Sequence, residues 1–194
     1  MEFERLTLAG KNVRLEPLSE NHLDGLRSAI KDGELWKLFF TLVPHPKNID
    51  DFYKNACQVY TSGSGLVFAT IDQFTNEVVG STRFMNANIP NKCVEIGFTF
   101  IRASSQKTKI NTEAKRLMLA HAFDSLKLNR VEFLTDYLNT RSRNAILRLG
   151  SKQEGILRSH KVMPDGRVRD SVLFSIIANE WAGVKQGLEY KLSQ

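Results

Sequence analysis

A single carboxylate interrupts an otherwise apolar stretch between Val94 and Ile101. Glu95 stands between a valine and an isoleucine, and a strand at this point would carry it into the middle of a sheet. A carboxylate is costly there unless it is paired or functional, and partial burial raises its pKa. Glu95 is therefore our candidate for a general base that acts through a water molecule. A glutamate that is solvated or paired with an arginine is the alternative, and Glu132 and Glu154 are further candidates by the same reasoning.

A polar and basic loop follows the apolar stretch and leads into a helical pattern over residues 112–126. The free N–H groups at the start of a helix, together with its dipole, bind anions. The order of strand, basic loop and helix therefore predicts a site for a pyrophosphate group. An ordinary connection with Asn111 as the N-cap is the alternative, since the loop lacks the glycines of a phosphate-binding fingerprint. The residues of the predicted anion site are Gln106, Lys107, Thr108, Lys109, Ile110, Asn111 and Thr112.

A second helix with a polar start is predicted at Asn139. The Asn139 carboxamide both donates and accepts hydrogen bonds, which suits either an N-cap or contact with a ligand that carries amide groups. The two roles are compatible if Thr140 caps the helix instead. Ser142 lies one turn further along the same side, and the alternative to a functional role is a bond to the local backbone. Tyr137 is a further candidate, which we rank below Ser142.

Strand and helix patterns cover most of the chain and would position these residues. Apolar residues at alternating positions predict strands, and a spacing of three to four predicts helices. In the central strand we predict one face with Val94, Ile96, Phe98 and Phe100, and the opposite face with Glu95, Gly97, Thr99 and Ile101. The predicted strands are residues 13–17, 66–71, 78–84, 94–101, 131–136, 153–163 and 167–177. The predicted helices are residues 20–30, 49–60, 112–126, 141–149 and 179–190.

The order of these elements predicts an α/β (α+β) fold in a single domain over residues 1–194. Early strands joined by hairpins form antiparallel pairs, whereas the helical crossover between residues 94–101 and 131–136 indicates a parallel pair. We therefore expect a mixed, mostly antiparallel sheet with flanking helices. Open sheets of this kind bind ligands at the carboxyl ends of their strands.

The composition is that of an ordinary globular protein. The 194 residues carry a net charge of +6 with a pI of about 9.4, which suits an acidic ligand or a solvated basic face. Nucleic-acid binding rests on the pI alone, because no block of five basic residues occurs. Two cysteines and four histidines match no metal-ligand spacing, so we expect no metal. We expect a cytoplasmic protein without membrane contact, because the acidic start lacks a signal core and no apolar stretch approaches the roughly 20 residues of a membrane span.

Short motifs follow one another along the chain in a characteristic order. They are Gly10-Lys11-Asn12-Val13-Arg14-Leu15-Glu16-Pro17-Leu18, Ile110-Asn111-Thr112-Glu113-Ala114-Lys115, Asn139-Thr140-Arg141-Ser142 with Leu149-Gly150 after it, Met163-Pro164-Asp165-Gly166-Arg167, and Glu180-Trp181. Together they resemble the GCN5-related N-acetyltransferase (GNAT) superfamily, and within it the RimJ/RimL-type branch. The resemblance implies that the two parallel strands splay apart at their carboxyl ends, and that acetyl passes from acetyl-CoA to an amine.

The resemblance also implies roles for individual residues. A backbone N–H of the strand near Phe98 to Phe100 would polarise the thioester carbonyl, and Ser142 would protonate the leaving thiolate. The tyrosine acid that many members carry is replaced by Ile146. Lys109 departs from the glycine common in this branch, so it adds positive charge and is expected to strain the turn. The implied CoA-binding residues are Phe98, Thr99, Phe100 and Ile101 for the pantetheine arm, Gln106 to Thr112 for the pyrophosphate, and Asn139 and Arg143.

These inferences predict an acetyl-CoA-dependent N-acetyltransferase in which a primary amine attacks the thioester directly. The acceptor would be a protein N-terminal α-amine or a small amine, and the chain a monomer or a homodimer. The aromatic-rich segment 36–46 either covers the acceptor side of the cleft or packs in the core. A catalytically degenerate acyl-CoA-binding module of the same fold is the alternative, supported by Lys109 and the missing tyrosine.

Overall fold

The computed structural model describes residues 3–194. Met1 and Glu2, which contributed to the expectation of no signal core, lie outside the described residues. The strands are β1 (Leu8–Ala9), β2 (Val13–Pro17), β3 (Leu66–Asp72), β4 (Val78–Asn88), β5 (Cys93–Ile101), β6 (Arg130–Asp136), β7 (Lys152–Val162) and β8 (Val168–Ile177). The helices are α1 (Leu23–Lys31), α2 (Ile49–Thr61), α3 (Lys109–Ala120), α4 (Thr140–Arg148) and α5 (Trp181–Ser193).

Within residues 3–194 the strands form one mixed sheet in the order β1-β2-β3-β4-β5-β6-β8-β7. Neighbouring strands are antiparallel except β5 and β6, which run parallel. A parallel pair requires a crossover connection, and α3 supplies it. The predicted mixed sheet with one parallel pair is confirmed. The sequence does not indicate β1, since a two-residue strand is too short to show alternation.

Apolar cores on the two faces of the sheet hold the helices in place. α1 and α2 pack over one face, where Leu26, Ile30 and Phe100 are buried. α3 and α5 pack together over the other face, which includes Phe84 and Val131. Each large apolar side chain contributes roughly 1.5–3 kcal/mol when fully buried. This packing fixes the N-terminus of α3 beside the end of β5.

A β-bulge in β5 changes which residues face which core. Thr82 on β4 lies opposite both Phe98 and Thr99, because the register shifts between Ser81 and Arg83. Phe98 has φ +48, in the left-handed region. The extra residue reverses the alternation beyond the bulge.

The alternation predicted through β5 is therefore wrong beyond Gly97. Phe98 lies under the Arg83 guanidinium, 4.4 Å from its ring centroid, and Phe100 packs with α1 and α2. Both thus share the face of Glu95. Thr99 faces α3 instead, on the side of Val94 and Ile96. A bulge leaves no clear sequence signal here, because it depends on pairing with β4.

Helix α3 begins at Lys109, three residues before the predicted start. Thr108 has extended backbone angles, and its Oγ1 accepts a hydrogen bond from the Ile110 N–H at 3.3 Å. Thr108 is therefore the N-cap, and the alternative with Asn111 as N-cap is wrong. Two residue types that favour the N-cap occur within four positions, which leaves the boundary ambiguous in the sequence. The helix continues as a π-turn over His121–Ser125.

A buried carboxylate fastens α3 to the turn between β1 and β2. The Glu113 oxygens accept backbone N–H groups from Lys11 at 3.1 Å, Asn12 at 2.6 Å and Val13 at 2.9 Å. Gly10 is required in this turn, because a Cβ there would lie 2.5 Å from Glu113 Cδ. Three otherwise unpaired donors are satisfied by one side chain, so its loss should be costly.

We expect Glu113→Ala to lower the free energy of unfolding by about 2–4 kcal/mol, since it leaves backbone donors unsatisfied. Glu113→Gln keeps an acceptor oxygen and should lose less. The matched control is Glu189→Ala, whose half-exposed carboxylate lies 3.9 Å from Arg116 and should cost less than about 0.5 kcal/mol. Urea unfolding followed by circular dichroism measures all three. Equal losses for Glu113→Ala and Glu189→Ala would contradict the assignment.

Candidate active site

A cavity of about 410 Å³ lies where β5 and β6 separate. The two strands pair only from Cys93–Arg130 to Glu95–Glu132. Beyond this point β5 stays paired with β4 on its other side, and β6 with β8. The facing edges of Phe98 to Ile101 and of residues 133–136 therefore border a gap. The splayed pair expected from the sequence is confirmed.

Glu95 lines this cavity at the point where the strands part. Its Oε2 accepts a hydrogen bond from Asn86 Nδ2 at 2.8 Å. Burial raises the pKa of the Glu95 carboxyl, the Asn86 hydrogen bond and Lys161 lower it in part, Glu132 raises it further, and Arg169 lowers it. The raised pKa makes this carboxylate a stronger base than an exposed glutamate, and an open cavity lies beside it.

The other two candidate carboxylates are engaged elsewhere. Glu132 bonds to Arg130 Nε at 2.7 Å, and Glu154 bonds to Arg130 Nη1 at 2.8 Å. The Ser175 hydroxyl and Arg130 lower the pKa of Glu154. Neither glutamate lines the cavity. The geometry thus favours Glu95 over both as a base.

The first turn of α3 forms one end of the cavity. Lys107, Thr108, Asn111 and Thr112 line it, and the first N–H groups of a helix lack intrahelical partners. Asn111 Oδ1 is buried and has no hydrogen-bond partner among residues 3–194. A buried polar atom of this kind calls for an explanation, and a ligand that brings a donor supplies one.

Gln106 spans the gap beside this end. Its Nε2 donates to the Ile101 carbonyl at 2.6 Å, and its Oε1 accepts a hydrogen bond from Arg141 on α4. Arg141 also lines the cavity. Arg141 is not among the site residues predicted from the sequence, although its place near Asn139 in a basic helix start indicates such a role. It brings a second positive charge to the end where Lys107 lies.

The backbone conformation and the side-chain contact of Lys109 differ from those expected. It is the first residue of α3 and is not among the residues with positive φ, so the strain expected there is absent. The residue with left-handed backbone angles is Lys107, at φ +63. The Lys109 Nζ donates to the Leu192 carbonyl on α5 at 2.9 Å. Lys109 and the buried Ile110 do not line the cavity.

Asn139 and Ser142 lie together on the α4 side of the cavity. Asn139 Oδ1 accepts the Ser142 N–H at 2.9 Å, so Asn139 is the N-cap and the Thr140 alternative is wrong. The cap uses the carbonyl oxygen and leaves the Asn139 amide nitrogen for a ligand. The Ser142 hydroxyl is one turn into the helix and half-buried.

Two expected contributors lie outside the cavity. Arg143 stacks over the Tyr137 ring at 4.8 Å and donates to the Tyr137 carbonyl at 3.2 Å. Neither residue lines the cavity, and Tyr137 is exposed. The resemblance implies a CoA contact for Arg143, but its side chain does not line the cavity, because a one-residue step from Ser142 along a helix turns the side chain by about 100°.

The wall opposite α3 carries charged side chains that connect several elements. Asp136 at the end of β6 is fully buried, and its Oδ2 pairs with Arg167 Nη2 at 2.5 Å. Arg167 also reaches the Phe39 carbonyl at 3.4 Å, which ties the segment 36–46 to the sheet. Residues 40–44 of that segment line the cavity, as do Lys161 and Arg169. The segment predicted to cover the acceptor side therefore borders the cavity in part.

Lys115 lines the cavity but is not among the site residues predicted from the sequence. It lies on α3, is only 4% exposed, and reaches the cavity from the face of the sheet on which α3 packs. Its Nζ lies 2.6 Å from both Thr82 Oγ1 and Thr99 Oγ1. Burial lowers the pKa of Lys115 to about 7. A lysine in the polar half of a helical pattern normally predicts solvent exposure, so the sequence carried no signal for it.

The described residues include neither a cluster of metal-ligating side chains nor a helix long and apolar enough to cross a membrane. The cavity instead combines a helix N-terminus and basic side chains at one end, two free strand edges in the middle, and a desolvated carboxylate where the strands part. Such a site suits a ligand with an anionic end and an extended amide-bearing arm.

Comparison with known proteins identifies the family. Residues 12–152 match the acetyltransferase (GNAT) domain, and the chain belongs to this family. It is 33% identical to p20 of Bacillus licheniformis, named as an N-acetyltransferase, over 116 residues. The alignment spans 60% of this chain and 64% of p20, which is less than two thirds of that relative.

Solved structures show the same fold. A GCN5-related N-acetyltransferase from Brucella melitensis is 32% identical, with a TM-score of 0.87 over 99% of this chain and 87% of that one. RimJ of Mycobacterium smegmatis, solved in complex with CoA-disulfide, has a TM-score of 0.79 at 22% identity, over 95% of this chain and 91% of that one. At that identity the likeness to RimJ concerns the fold alone.

The backbone angles at the start of α3 predict opposite effects for two glycine substitutions. Lys107→Gly removes a side chain from a left-handed residue, so we expect it to raise the free energy of unfolding by about 0.5–1 kcal/mol. Lys109→Gly places glycine in the first turn of a helix and should lower it by about 0.5 kcal/mol. Urea unfolding of both variants measures the difference. The reverse order would show that Lys109 is the strained residue.

Proposed function

We propose that this chain is an acetyl-CoA-dependent N-acetyltransferase acting on a primary amine, formed as one domain over residues 1–194 and related to the RimJ/RimL-type branch. The observation that carries this proposal is the gap between β5 and β6, with the α3 N-terminus at one end and Glu95 where the strands part. Family membership supplies the acetyl donor. The motif order supports the branch.

The residues around the cavity fit acetyl-CoA. The pyrophosphate would lie at the α3 N-terminus, near Lys107 and Arg141, where N–H groups and positive charge meet. The pantetheine arm would lie along the free edge of Phe98 to Ile101, as an added strand lies along a sheet edge. Asn139 would donate its free amide hydrogens to this arm. The unpartnered Asn111 oxygen would accept from the same ligand.

The side chains of Lys109, Ile110 and Arg143 do not line the cavity, so these residues contribute to the proposed site indirectly. Lys109 and Ile110 contribute the backbone of the first helical turn, while the Lys109 side chain bonds to α5. Arg143 supports the loop before α4 through Tyr137. The positive charge near the proposed pyrophosphate position therefore comes from Lys107 and Arg141.

Glu95 would remove the proton that blocks attack. An α-amine has a pKa near 7.7–8.0 and a lysine amine about 10.4, so most acceptors are protonated at pH 7. Through an intervening water, Glu95 would pass that proton to solvent and release the lone pair toward the thioester carbon. After attack, Glu95 would take the second proton that the nitrogen loses as it becomes an amide. A backbone N–H near Phe98 would stabilise the developing oxyanion. No covalent intermediate is needed, and positioning supplies much of the rate.

Ser142 would donate a hydrogen bond to the departing sulfur. Its contribution is expected to be modest, because a thiol with a pKa near 8.5 already leaves well. The acceptor would enter from the side of residues 40–44 and of Lys161 and Arg169, where apolar and charged groups border the cavity. The proposal covers a protein N-terminal α-amine or a small amine, and an acetylation screen across amine classes would separate them.

Isothermal titration with acetyl-CoA tests the binding site. Asn139→Ser keeps a good N-cap but removes the amide donor, so we expect about tenfold weaker binding, equivalent to one hydrogen bond of about 1.4 kcal/mol. Asn91→Ala, in the exposed turn between β4 and β5, should bind as the wild type does. Absence of acetyl-CoA binding by the wild type at millimolar ligand would contradict the proposed function.

Glu95→Gln tests the base. We expect kcat to fall by about 10²–10⁴-fold at neutral pH, the usual span for general base catalysis. The loss should shrink as pH rises, because the free amine becomes abundant. In the wild type, kcat should fall as pH drops through the raised pKa of Glu95, since the protonated carboxyl is no base. Glu132→Gln is the control and should stay within about threefold; nearly full kcat for Glu95→Gln would remove the assignment.

A further inference from the structure

Lys115 is a buried amine, and no carboxylate among residues 3–194 forms an ion pair with it. Its Nζ contacts the hydroxyls of Thr82 and Thr99, each at 2.6 Å, and these hydroxyls lie 2.8 Å from each other. Burial is the only cause of the lowered pKa of Lys115. An amine in this state exchanges its proton near neutral pH, whereas a surface lysine does not.

The charged groups on the elements packed around Lys115 are engaged elsewhere. On α3, Glu113 accepts backbone N–H groups of the β1–β2 turn, and Arg116 reaches Glu189. On β4, Arg83 points to the opposite face and donates to Asn55 at 2.9 Å. On β5, Glu95 points to that same opposite face and bonds to Asn86. The hydroxyls of Thr82 and Thr99 are therefore the polar partners of the Lys115 amine.

Thr82 and Thr99 differ in solvent exposure. Thr82 is 1% exposed, whereas Thr99 is exposed and lines the cavity. The bulge at Phe98 produces this difference, because it turns Thr99 toward α3 while the residue stays at the free edge of β5. Thr99 thus joins the buried amine to the open space between the strands.

We propose that Lys115 and Thr99 form a proton relay that neutralises the thiolate released by acetyl transfer. This inference rests on the proposed function. As the carbon–sulfur bond breaks, the thiolate takes the Thr99 hydroxyl proton while the Thr99 oxygen takes one from Lys115 Nζ, so the two transfers occur together and no threonine alkoxide forms. Lys115 is left neutral, and water entering the cavity after CoA departs returns the proton by the same route. Lys115 supplies the proton but acts on the sulfur only through Thr99.

Proton affinity explains why Ser142 alone is not enough. A serine hydroxyl can donate a hydrogen bond to sulfur but is far too weak an acid to give up its proton. A donor with a pKa of about 7 can protonate a thiolate whose conjugate thiol has a pKa near 8.5. Neutralising the sulfur matters here because a thiolate between two strands is poorly solvated.

Matched threonine variants separate this role from a structural one. We expect Thr99→Val and Lys115→Met each to lower kcat by about 10–100-fold, at or below the low end of the span for proton transfer. The double variant should be no slower than either single variant, because both interrupt one path. Thr82→Val removes the buried hydroxyl held by the same amine and should change kcat less than threefold. Acetyl-CoA affinity by titration should stay within about twofold for Thr99→Val.

The charge and pH dependence give two further readouts. Lys115→Arg keeps a positive charge but cannot release a proton, so it should not restore kcat, whereas a purely electrostatic role would be rescued. With saturating substrates, wild-type kcat should decline as pH rises through about 7, because the donor is then deprotonated. That decline should be absent in Lys115→Met and Thr99→Val. Arg116→Met, one residue along α3, is the control for the helix.

A measurement on the protein without substrate completes the test. The ¹³Cε shift of Lys115, assigned by its absence in Lys115→Met, should titrate with a midpoint near pH 7. A midpoint above about pH 9.5, near the ordinary lysine value, would overturn the inference. Equal effects of Thr82→Val and Thr99→Val, or rescue by Lys115→Arg, would do so as well. Failure of the wild type to consume acetyl-CoA with any amine would instead overturn the proposed function itself.

Discussion

The early end of pairing between β5 and β6 is the constraint on which the rest of the structure depends. Three residue pairs hold the strands together, and after Glu95 and Glu132 each strand pairs only on its outer side. Backbone groups on the inner edges then lack a partner strand, which is costly inside a protein unless a ligand or water satisfies them. The cavity, the exposed edge of Phe98 to Ile101 and the position of α3 all follow from this separation.

Side chains at both ends of the cavity stabilise the separated strands. Gln106 connects the end of β5 to Arg141 on α4. On the opposite wall, the buried Asp136 pairs with Arg167, which also reaches the segment that contains Phe39. A buried carboxylate is tolerated there because its charge is paired and its second oxygen is bonded. These contacts connect both walls of the gap to the neighbouring elements.

Burial shifts the pKa of two titratable groups on opposite faces of β5 in opposite directions. It raises the pKa of the Glu95 carboxyl and lowers that of the Lys115 amine. Both shifts are toward neutral pH. The β-bulge at Phe98 is the reason both reach one cavity, since it redirects Thr99 toward α3 while Glu95 faces away. Proton uptake from an amine and proton delivery to a sulfur would then occur on separate sides of the strand.

The sequence by itself determined the mixed sheet, the parallel pair, the basic loop before α3 and the polar start of α4, because each rests on local periodicity or capping chemistry. It also indicated Glu95 as a candidate base, because its polarity conflicts with its apolar neighbours. Only the tertiary structure decided that Glu132 and Glu154 pair with Arg130, that Lys109 bonds to α5, and that Lys115 is buried under Thr99. These outcomes depend on contacts between residues distant in the chain and on one extra residue in β5, and local patterns do not encode either.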